Sequence, residues 1–329
     1  AFAPDDVARV KEQKLAELAQ VLASPRALAR REIGRLIYGT HPYAQPGDGL
    51  GDAQSLSTLT PDALRTAHRT WLRPDRARIA VTGDVTMAAL LPKLEAAFGD
   101  WKAPDAPRQA VKDLGGQIPD AATRIVLIDR PNSPQSVVVA GRVLPITGKA
   151  GGQESLTLAN DVLGGGFLSR LNSNLREEKG WSYGVYSAIP MSIGPRAFTL
   201  TAPVQADRTA DSITAILAIM DAFPGGGPVT EQELERVTEG AIRGLPQNFE
   251  TNADVLSAML LNNRLGRPDS YYETLAATYR GIDRSEIEAA ARRYLGSEGM
   301  VFVVVGDSKL IEKSLRALGL PLEIHKPDQ

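Results

Sequence analysis

Cysteine is absent from the 329-residue sequence, and histidine occurs only three times. Without thiolates, the chain cannot build a zinc ribbon, an iron–sulfur cluster, a disulfide framework or a cysteine nucleophile. No stretch approaches the ~20 continuous apolar residues that a membrane-spanning helix needs, so no membrane span is predicted. The first residues, Ala1–Asp6, lack the basic and then apolar regions of a signal peptide.

An excess of charge of either sign is also missing. Lysine and arginine number 37 and aspartate and glutamate 39, for a net charge of −2. This balance gives no electrostatic reason to expect a nucleic acid or an anionic membrane as partner. Hydrophobic residues make up 43% of the chain, enough to build the cores of two ordinary domains.

The first hundred residues are predicted to be helical with one strand. Helical periodicity covers 5–22, and Ser24 is a candidate N-cap for a helix that begins at Pro25 and ends at Tyr38. Thr60 is a candidate N-cap for a helix ending near Leu72, and a further helix is predicted over 87–98. Between these two, the apolar run 78–84 predicts a short buried strand that ends in a turn.

Beyond residue 101 the pattern changes. Residues 102–122 are rich in proline and glycine and are predicted to be an interdomain linker. Strands are predicted to follow at 124–129, 136–144, 181–189, 197–204 and 300–305, and helices at 153–163, 168–178, 207–222, 231–244, 252–264, 269–279, 284–295 and 308–318. The first four strands come in adjacent pairs, which favours an α+β fold with a largely antiparallel sheet.

The sequence also contains an internal repeat. Segment 60–84 aligns without gaps on 283–307, and segment 10–39 aligns on 237–266. Similarity between any two helix–strand–helix units is the alternative explanation, but order, spacing and identities favour a duplicated domain. We therefore predict the C-terminal half of a first domain at 1–101, a complete second domain at 123–320, and a tail at 321–329. Since nothing in the first copy corresponds to 123–229, the sequence is expected to begin partway through a domain.

Two adjacent motifs resemble a known family. They are Leu163-Gly-Gly-Gly-Phe-Leu-Ser-Arg-Leu171 and Leu175-Arg-Glu-Glu-Lys-Gly-Trp-Ser-Tyr-Gly-Val-Tyr-Ser187. They resemble the C-terminal domain of the pitrilysin/insulinase-type (M16) zinc metallopeptidases, which include the mitochondrial processing peptidases. Shorter stretches at 38–43, 81–85, 98–101 and 130–135 are similar to the small bacterial members.

The resemblance implies a pair of duplicated α+β domains, the processing-peptidase/LuxS-like metallohydrolase fold, around a closed chamber. In such enzymes the first domain binds zinc through a His-x-x-Glu-His helix and a distal glutamate, and the metal-free second domain contributes an arginine and a tyrosine. The implied substrate is a peptide or an unfolded protein. The implied partner is another family subunit in a homo- or heterodimer. Bacterial relatives are often exported, which favours the periplasm over the cytoplasm.

The family spacing falls on three residues here. Arg176 and Tyr183 match the arginine and tyrosine of the second domain, where they would contact the substrate and the developing oxyanion. Without the resemblance, a helix-terminal arginine and a core aromatic residue would be the preferred interpretation. Glu17 matches the distal zinc ligand and would bind metal only together with a His-x-x-Glu-His motif. An exposed helical glutamate is the alternative, and Glu12 is a competitor if the alignment shifts.

The other candidates are weaker. His41, His68 and His325 are isolated from one another in the sequence, so none is expected to bind metal, and the chain alone is predicted to be zinc-free and inactive. Gly164–Gly166 lacks the Lys-Ser/Thr of a phosphate loop and is interpreted as a link between two helices, with substrate contact as an alternative. Asp84 and Asp307 recur in both repeats after a predicted strand, which indicates turn chemistry.

Three functional hypotheses remain open at this stage. The first is that the chain is the C-terminal portion of a zinc endopeptidase subunit. The second is a noncatalytic subunit that lends Arg176 and Tyr183 to an active partner. The third is a structural relative, like the core subunits of the respiratory bc1 complex.

Overall fold

Two units make up the computed structural model, which describes residues 2–116, 118–120 and 122–325. Unit 1 contains the chain up to Gln20, Asp48–Lys112 and Leu245–Asp269. Unit 2 contains Val21–Gly47, Asp113–Gly244 and the chain from Ser270 onward. Each unit is therefore assembled from three separate stretches of sequence. The domain boundaries expected above remain a prediction.

Helices form most of the described chain. The α-helices are α1 Pro4–Ala23, α2 Pro25–Tyr38, α3 Ala53–Thr58, α4 Pro61–Trp71, α5 Met87–Phe98, α6 Gln153–Asn160, α7 Arg170–Asn172, α8 Thr209–Gly225, α9 Glu231–Gly244, α10 Asn252–Leu265, α11 Tyr271–Gly281, α12 Arg284–Tyr294 and α13 Ser308–Arg316. Short 3₁₀ turns occur at Pro42–Ala44, Pro74–Arg76, Ala206–Arg208 and Leu245–Phe249. Two π-helical segments, Asp161–Gly165 and Ser173–Glu178, follow α6 and α7. No described helix is both long enough and apolar enough to cross a bilayer.

Unit 2 is built around a six-stranded sheet. Its strands are β1 Arg124–Asp129, β2 Gln135–Thr147, β3 Tyr186–Ala188, β4 Pro195–Gln205, β5 Val301–Gly306 and β6 Leu322–His325, in the order β3-β4-β2-β5-β1-β6. The pairs β3–β4, β4–β2 and β2–β5 are antiparallel, whereas β5–β1 and β1–β6 are parallel. The predicted α+β class with a largely antiparallel sheet is confirmed. Strand β6 lies in the segment expected to be a tail and was not predicted.

The core of unit 2 includes a helix from the first repeat. Every residue of β5 is buried. Helix α2 packs its apolar face on this sheet, with Ile33 and Ile37 in the same buried cluster as Val139 and Val303. Burial of each such side chain contributes roughly 1.5–3 kcal/mol relative to leaving it exposed.

Helix caps make the repeat visible in the structure. Ser24 accepts the backbone N–H of Ala27, and α2 ends at Gly39, whose φ is 58°. Thr251 forms a capping box at the start of α10, which ends at Gly266 with a φ of 69°. Both helices have 14 residues, and their caps match at the alignment of 10–39 on 237–266. The predicted cap at Ser24 and the end of α2 at Tyr38 are confirmed.

The strand predicted at 78–84 is wrong. These residues form no strand, and Ile79 and Val81 are exposed by 54% and 41%. A strand needs neighbouring strands to satisfy its backbone N–H and C=O groups. In the described part of unit 1 nothing pairs with this segment as a strand. Its side chains instead reach α10, since Thr82 Oγ1 donates to the carbonyl of Asn252 and Arg78 donates to Asn263 Oδ1.

Two other expectations need correction. The helices predicted at 153–163 and 168–178 each change into a π-helical segment before they end. The strand predicted at 181–189 is reduced to β3 and a single bridge from Ser182 to Val204. Gly180 is in the left-handed region and turns the chain there, which delays the start of regular pairing.

The predicted linker has no regular secondary structure in its described residues, and Gln117 and Ala121 lie outside them. A buried arginine in unit 1, Arg73, binds the first part of the predicted linker. Arg73 Nη1 donates to the carbonyl of Ala106 at 2.7 Å, while Asp75 forms a bidentate pair with the same guanidinium.

Candidate functional site

Arg176 lies in the last turn before a tight reversal of the chain. Its carbonyl accepts the N–H of Gly180, and the carbonyl of Leu175 accepts the N–H of Trp181. These two bonds close the helical segment where Gly180 adopts a φ of 63°. The guanidinium carbon of Arg176 lies 4.3 Å from the ring centre of Phe167, a cation–π contact that orients the side chain. Its only ion pair in the described chain is with the adjacent Glu177, at 3.4 Å.

Tyr183 follows on a backbone that is fixed on both sides. Ser182 Oγ donates to the carbonyl of Pro203 at 2.6 Å and accepts the N–H of Gly184. The Tyr183 side chain is 84% exposed, and its hydroxyl has no hydrogen bond within the described residues. Arg176 and Tyr183, the predicted pair, therefore lie on the two sides of one chain reversal. The Arg176 guanidinium stacks on Phe167, the Tyr183 phenol has no partner among the described residues, and hydrogen bonds hold the backbone between them.

A small cavity of about 240 Å³ lies beside Tyr183. Its lining includes Gln135, Trp181 and Gln205. Gln205 joins the lining to the reversal, because its N–H donates to the carbonyl of Trp181 and its Nε2 donates to the carbonyl of Gly180. Lys179 Nζ lies 4.5 Å from the Trp181 ring centre. The cavity thus offers backbone and amide polar groups next to an aromatic wall.

Two buried asparagines, which sequence reasoning missed, support the reversal. Asn172 is fully buried, and its Nδ2 donates to the carbonyl of Phe167 while its Oδ1 accepts the N–H of Val185. Asn160 Oδ1 accepts the hydroxyl of Ser187 at 2.8 Å. Asn172 therefore joins the glycine-rich segment to the chain just after Tyr183. The segments around them, Gln153–Asn160 and Arg170–Asn172, contain other polar residues, so the sequence offered no local signal for either asparagine.

The glycine-rich segment allows close packing at the same place. A Cβ on Gly164 would lie 2.5 Å from Ser187 Oγ, and a Cβ on Gly165 would overlap Asp161 Oδ1. Gly164 is required because Ser187 of β3 approaches too closely for a side chain, whereas a side chain at Gly165 would have to displace the side chains of Asp161 and Asn160. Gly164 is buried, whereas Gly165 is exposed and Gly166 is half-buried, so the last two glycines border solvent.

Asp161 begins the π-helical segment and is the most perturbed carboxyl group near the site. Burial raises its pKa to about 6, against the opposing effects of Arg236 and a hydrogen bond with Asn160. The raised pKa means that the folded chain retains this proton between about pH 4 and 6, where the unfolded chain releases it. Stability from this group is therefore present at acid pH and falls as the pH rises through 6.

We expect Asp161→Asn to remove this loss. The difference in free energy of unfolding, Asp161→Asn minus wild type, should increase by about 1–3 kcal/mol from pH 4 to pH 7. About 1.4 kcal/mol accompanies each unit by which the pKa is raised. Urea denaturation at several pH values measures the difference. Asp211→Asn, on the exposed side of α8, is the matched control and should show no such trend. A pH-independent difference for Asp161→Asn would contradict the assignment.

Glu17 lies in unit 1 on α1, half exposed, with Lys14 Nζ 2.6 Å from its carboxylate. Among the histidines, His41 is buried, accepts the N–H of Tyr43 at Nδ1 and places Nε2 3.3 Å from the Leu114 carbonyl. His68 contacts the ring of Phe2, and His325 lies 3.7 Å from Glu323. These contacts give each histidine a structural or surface environment.

The described residues do not fit a zinc site by themselves. No group of three or more His, Asp or Glu side chains comes together within residues 2–116, 118–120 and 122–325. Catalytic zinc is normally held by three protein ligands, and Glu17 is the single candidate from this chain.

Comparison with known proteins identifies the family. A family model described as "Peptidase M16 inactive domain" matches residues 58–240, more than half of the chain. The chain belongs to the peptidase M16 inactive-domain family. This confirms the resemblance drawn from residues 163–187.

Several relatives of this M16 chain are similar over most of its length. A Mycobacterium tuberculosis protein described as an uncharacterized zinc protease is 28% identical over 96% of this chain and 71% of its own length. The crystal structure of a peptidase M16 inactive domain from Pseudomonas fluorescens superposes with a TM-score of 0.81 at 26% identity, covering 93% of this chain and 71% of that one. A protease from Helicobacter pylori has a TM-score of 0.82 at 18% identity, covering 92% and 72%, and supports the fold.

Proposed function

We propose that this M16 chain is a portion of a zinc-dependent endopeptidase, to which it contributes Arg176 and Tyr183. The observation that carries the proposal is the reversal at 176–183. Its backbone is fixed by several hydrogen bonds, yet it presents an exposed phenol without an internal partner. The zinc-protease descriptions of relatives support the reaction class.

The proposed chemistry uses two hydrogen-bond donors. The Arg176 guanidinium would bind carbonyl oxygens of an extended peptide or unfolded protein substrate, held in place by its stacking on Phe167. The Tyr183 hydroxyl would donate to the scissile carbonyl oxygen as that oxygen gains negative charge during attack by water. The phenol keeps its proton throughout, so its role is electrostatic.

The remaining parts of the site lie outside this arrangement. We propose Glu17 as a distal zinc ligand that acts only together with a His-x-x-Glu-His helix, as the M16 resemblance implies. The chain alone would then be inactive. The motif could be carried by the same polypeptide or by another family subunit in a dimer, which corresponds to the enzyme and partner-subunit hypotheses.

The direct test is Arg176→Ala in the zinc-loaded peptidase that contains this chain. Loss of a charge-assisted contact to the substrate should raise KM about tenfold, since such bonds contribute about 1.5–3 kcal/mol. Hydrolysis of a quenched fluorescent peptide measures KM and kcat. Arg316→Ala, on the exposed face of α13, is the control and should leave both constants unchanged. Unchanged KM and kcat would remove Arg176 from the site.

A further inference from the structure

A cavity of about 810 Å³ in unit 2 lies along the C-terminal part of β2. Six consecutive residues, 142–147, contribute to its lining, and none of residues 176–183 does. Side chains of a strand alternate between the two faces of a sheet, so a cavity on one face would be lined by every second residue. Lining by consecutive residues indicates that the cavity follows the edge of β2.

This edge of β2 has no neighbouring strand in the described part of the sheet. The carbonyl of Met300 points to β1, where it accepts the N–H of Arg124, so the next residue, Val301, points to its partner Gly141 on β2. By alternation, the backbone N–H and carbonyl of Val143 point the same way as those of Gly141. Strand β5 begins at Val301, however, and its pairing with β2 stops at Gly141. The backbone groups of Val143 therefore face the cavity, where another strand could pair with them.

Two features restrict pairing at this edge to a short segment. Pro145 lies two residues beyond Val143 and has no N–H to donate, and proline within sheets is confined to edges and bulges. The register of β2 with β4 also shifts between Val143 and Thr147. An antiparallel segment would exchange two backbone hydrogen bonds with Val143, and its side chains would have to supply the rest of the affinity.

The remaining lining combines apolar surface with an excess of negative charge. Ile37 contributes apolar surface from α2. Asp120 and Glu298 are exposed, and neither carboxylate has an ion pair within the described residues. Arg142 is the cation in this lining, and its guanidinium donates to the carbonyls of Glu298 and Tyr294 at 2.8 and 2.7 Å. Two carboxylates against one arginine favour a ligand that carries positive charge.

We propose that the free edge of β2 at 142–147 binds an extended segment of another polypeptide that carries apolar side chains and a lysine or arginine. The segment would add to the sheet beside Val143, place its apolar side chains in the cavity and direct its basic side chain to Asp120 or Glu298. This proposal is independent of the peptidase proposal, because it uses none of the residues at 176–183.

A second copy of this chain is a poorer occupant of the edge. The edge lies inside a cavity, so the same edge of another copy, recessed to the same depth, could not enter it. Pairing of the two edges would also bring Asp120 and Glu298 of each copy close to those of the other. Like charges placed opposite each other disfavour such an interface.

The test is selection of random decapeptides displayed on phage against the 329-residue chain, followed by binding measurements with the selected sequences as synthetic peptides. We expect a lysine or arginine among apolar residues in these sequences. Amide hydrogen exchange at Val143 should slow at least about tenfold in the complex, with β3 unchanged. Failure to recover such peptides, or unchanged exchange at Val143, would overturn the proposal. So would slow exchange at Val143 in a dimer of the free chain, because a second copy would then occupy the edge.

Two analogues of a selected peptide test whether it binds as an added strand. One is N-methylated at its odd positions and the other at its even positions, so each lacks the N–H donors of one edge. Because a strand pairs with β2 along one of its edges only, one analogue should bind at least about tenfold more weakly than the other. Equal affinity of the two analogues would contradict strand addition.

A matched pair of substitutions tests the charge argument. Asp120→Lys should weaken binding of the selected peptide at least about tenfold, because it replaces an attractive charge with a repulsive one. Asp105→Lys, at an exposed aspartate outside the cavity, should bind like wild type. Both aspartates are exposed, so circular dichroism of either variant should be unchanged. Equal binding by the two variants would exclude this cavity as the peptide site.

Discussion

Replacing Tyr183 by phenylalanine should lower kcat of the zinc-loaded peptidase about 100-fold and leave KM within about twofold. Removing one donor to a developing oxyanion typically costs two to three orders of magnitude in turnover, because the interaction exists mainly in the transition state. The substitution removes only the hydroxyl. Since the side chain is 84% exposed and the hydroxyl has no partner in the described structure, folding should not change. Steady-state kinetics with a quenched fluorescent peptide measures both constants.

Tyr186→Phe is the control for this experiment. Tyr186 lies three residues further on, in β3, and is also exposed, but it has no proposed role in catalysis. Its kinetic constants should match wild type. If Tyr183→Phe retained full turnover, Tyr183 would have no part in the mechanism. Loss of turnover in both variants would indicate a general effect of this edge of the sheet.

Asn172→Ala should lower the free energy of unfolding by about 2–4 kcal/mol. The side chain makes two hydrogen bonds in a fully buried position, and its removal leaves the N–H of Val185 and the carbonyl of Phe167 without that partner. Leaving a buried polar group unsatisfied costs about 1–3 kcal/mol, so two such groups justify the larger figure. Urea denaturation followed by circular dichroism measures the loss.

Two comparison variants separate this effect from simple truncation. Asn172→Asp keeps an acceptor for the N–H of Val185, and its carboxyl group can donate to the carbonyl of Phe167 only when it is protonated. Its stability relative to Asn172→Ala should therefore be higher at acid pH than at neutral pH. Asn248→Ala, at an exposed position, should change stability by less than about 0.5 kcal/mol. A loss for Asn172→Ala no larger than that would contradict the assigned bridge.

Local signals were sufficient to predict much of this fold. Ser24, Pro25 and Gly39 defined α2 correctly, because capping chemistry and left-handed glycine depend on neighbouring residues only. The caps of α2 and α10 recur at the spacing of the predicted repeat, which likewise depends on local residues. The family motif at 163–187 selected Arg176 and Tyr183, whose reversal depends on Gly180.

Long-range interactions explain what was missed. The apolar run 78–84 has the composition of a strand, but composition does not reveal whether partner strands are present. Asn172 and Asn160 contact residues 13 and 27 positions away, so their roles could not be inferred from local pattern. Strand β6 pairs with β1 from nearly 200 residues away, and four residues with weak alternation carry little signal.

The packing of α2 in unit 2 also has a consequence for biosynthesis. Its buried face around Ile33 contacts the core cluster that contains Val301, Val303 and Val305 of β5. Residues 25–38 therefore leave the ribosome long before the strand they cover, and contacts of such large sequence separation form slowly. Until translation has passed β2 and then reached β5, the apolar side of this helix lacks some of its native partners, so the nascent chain depends on chaperones or transient collapse to protect it.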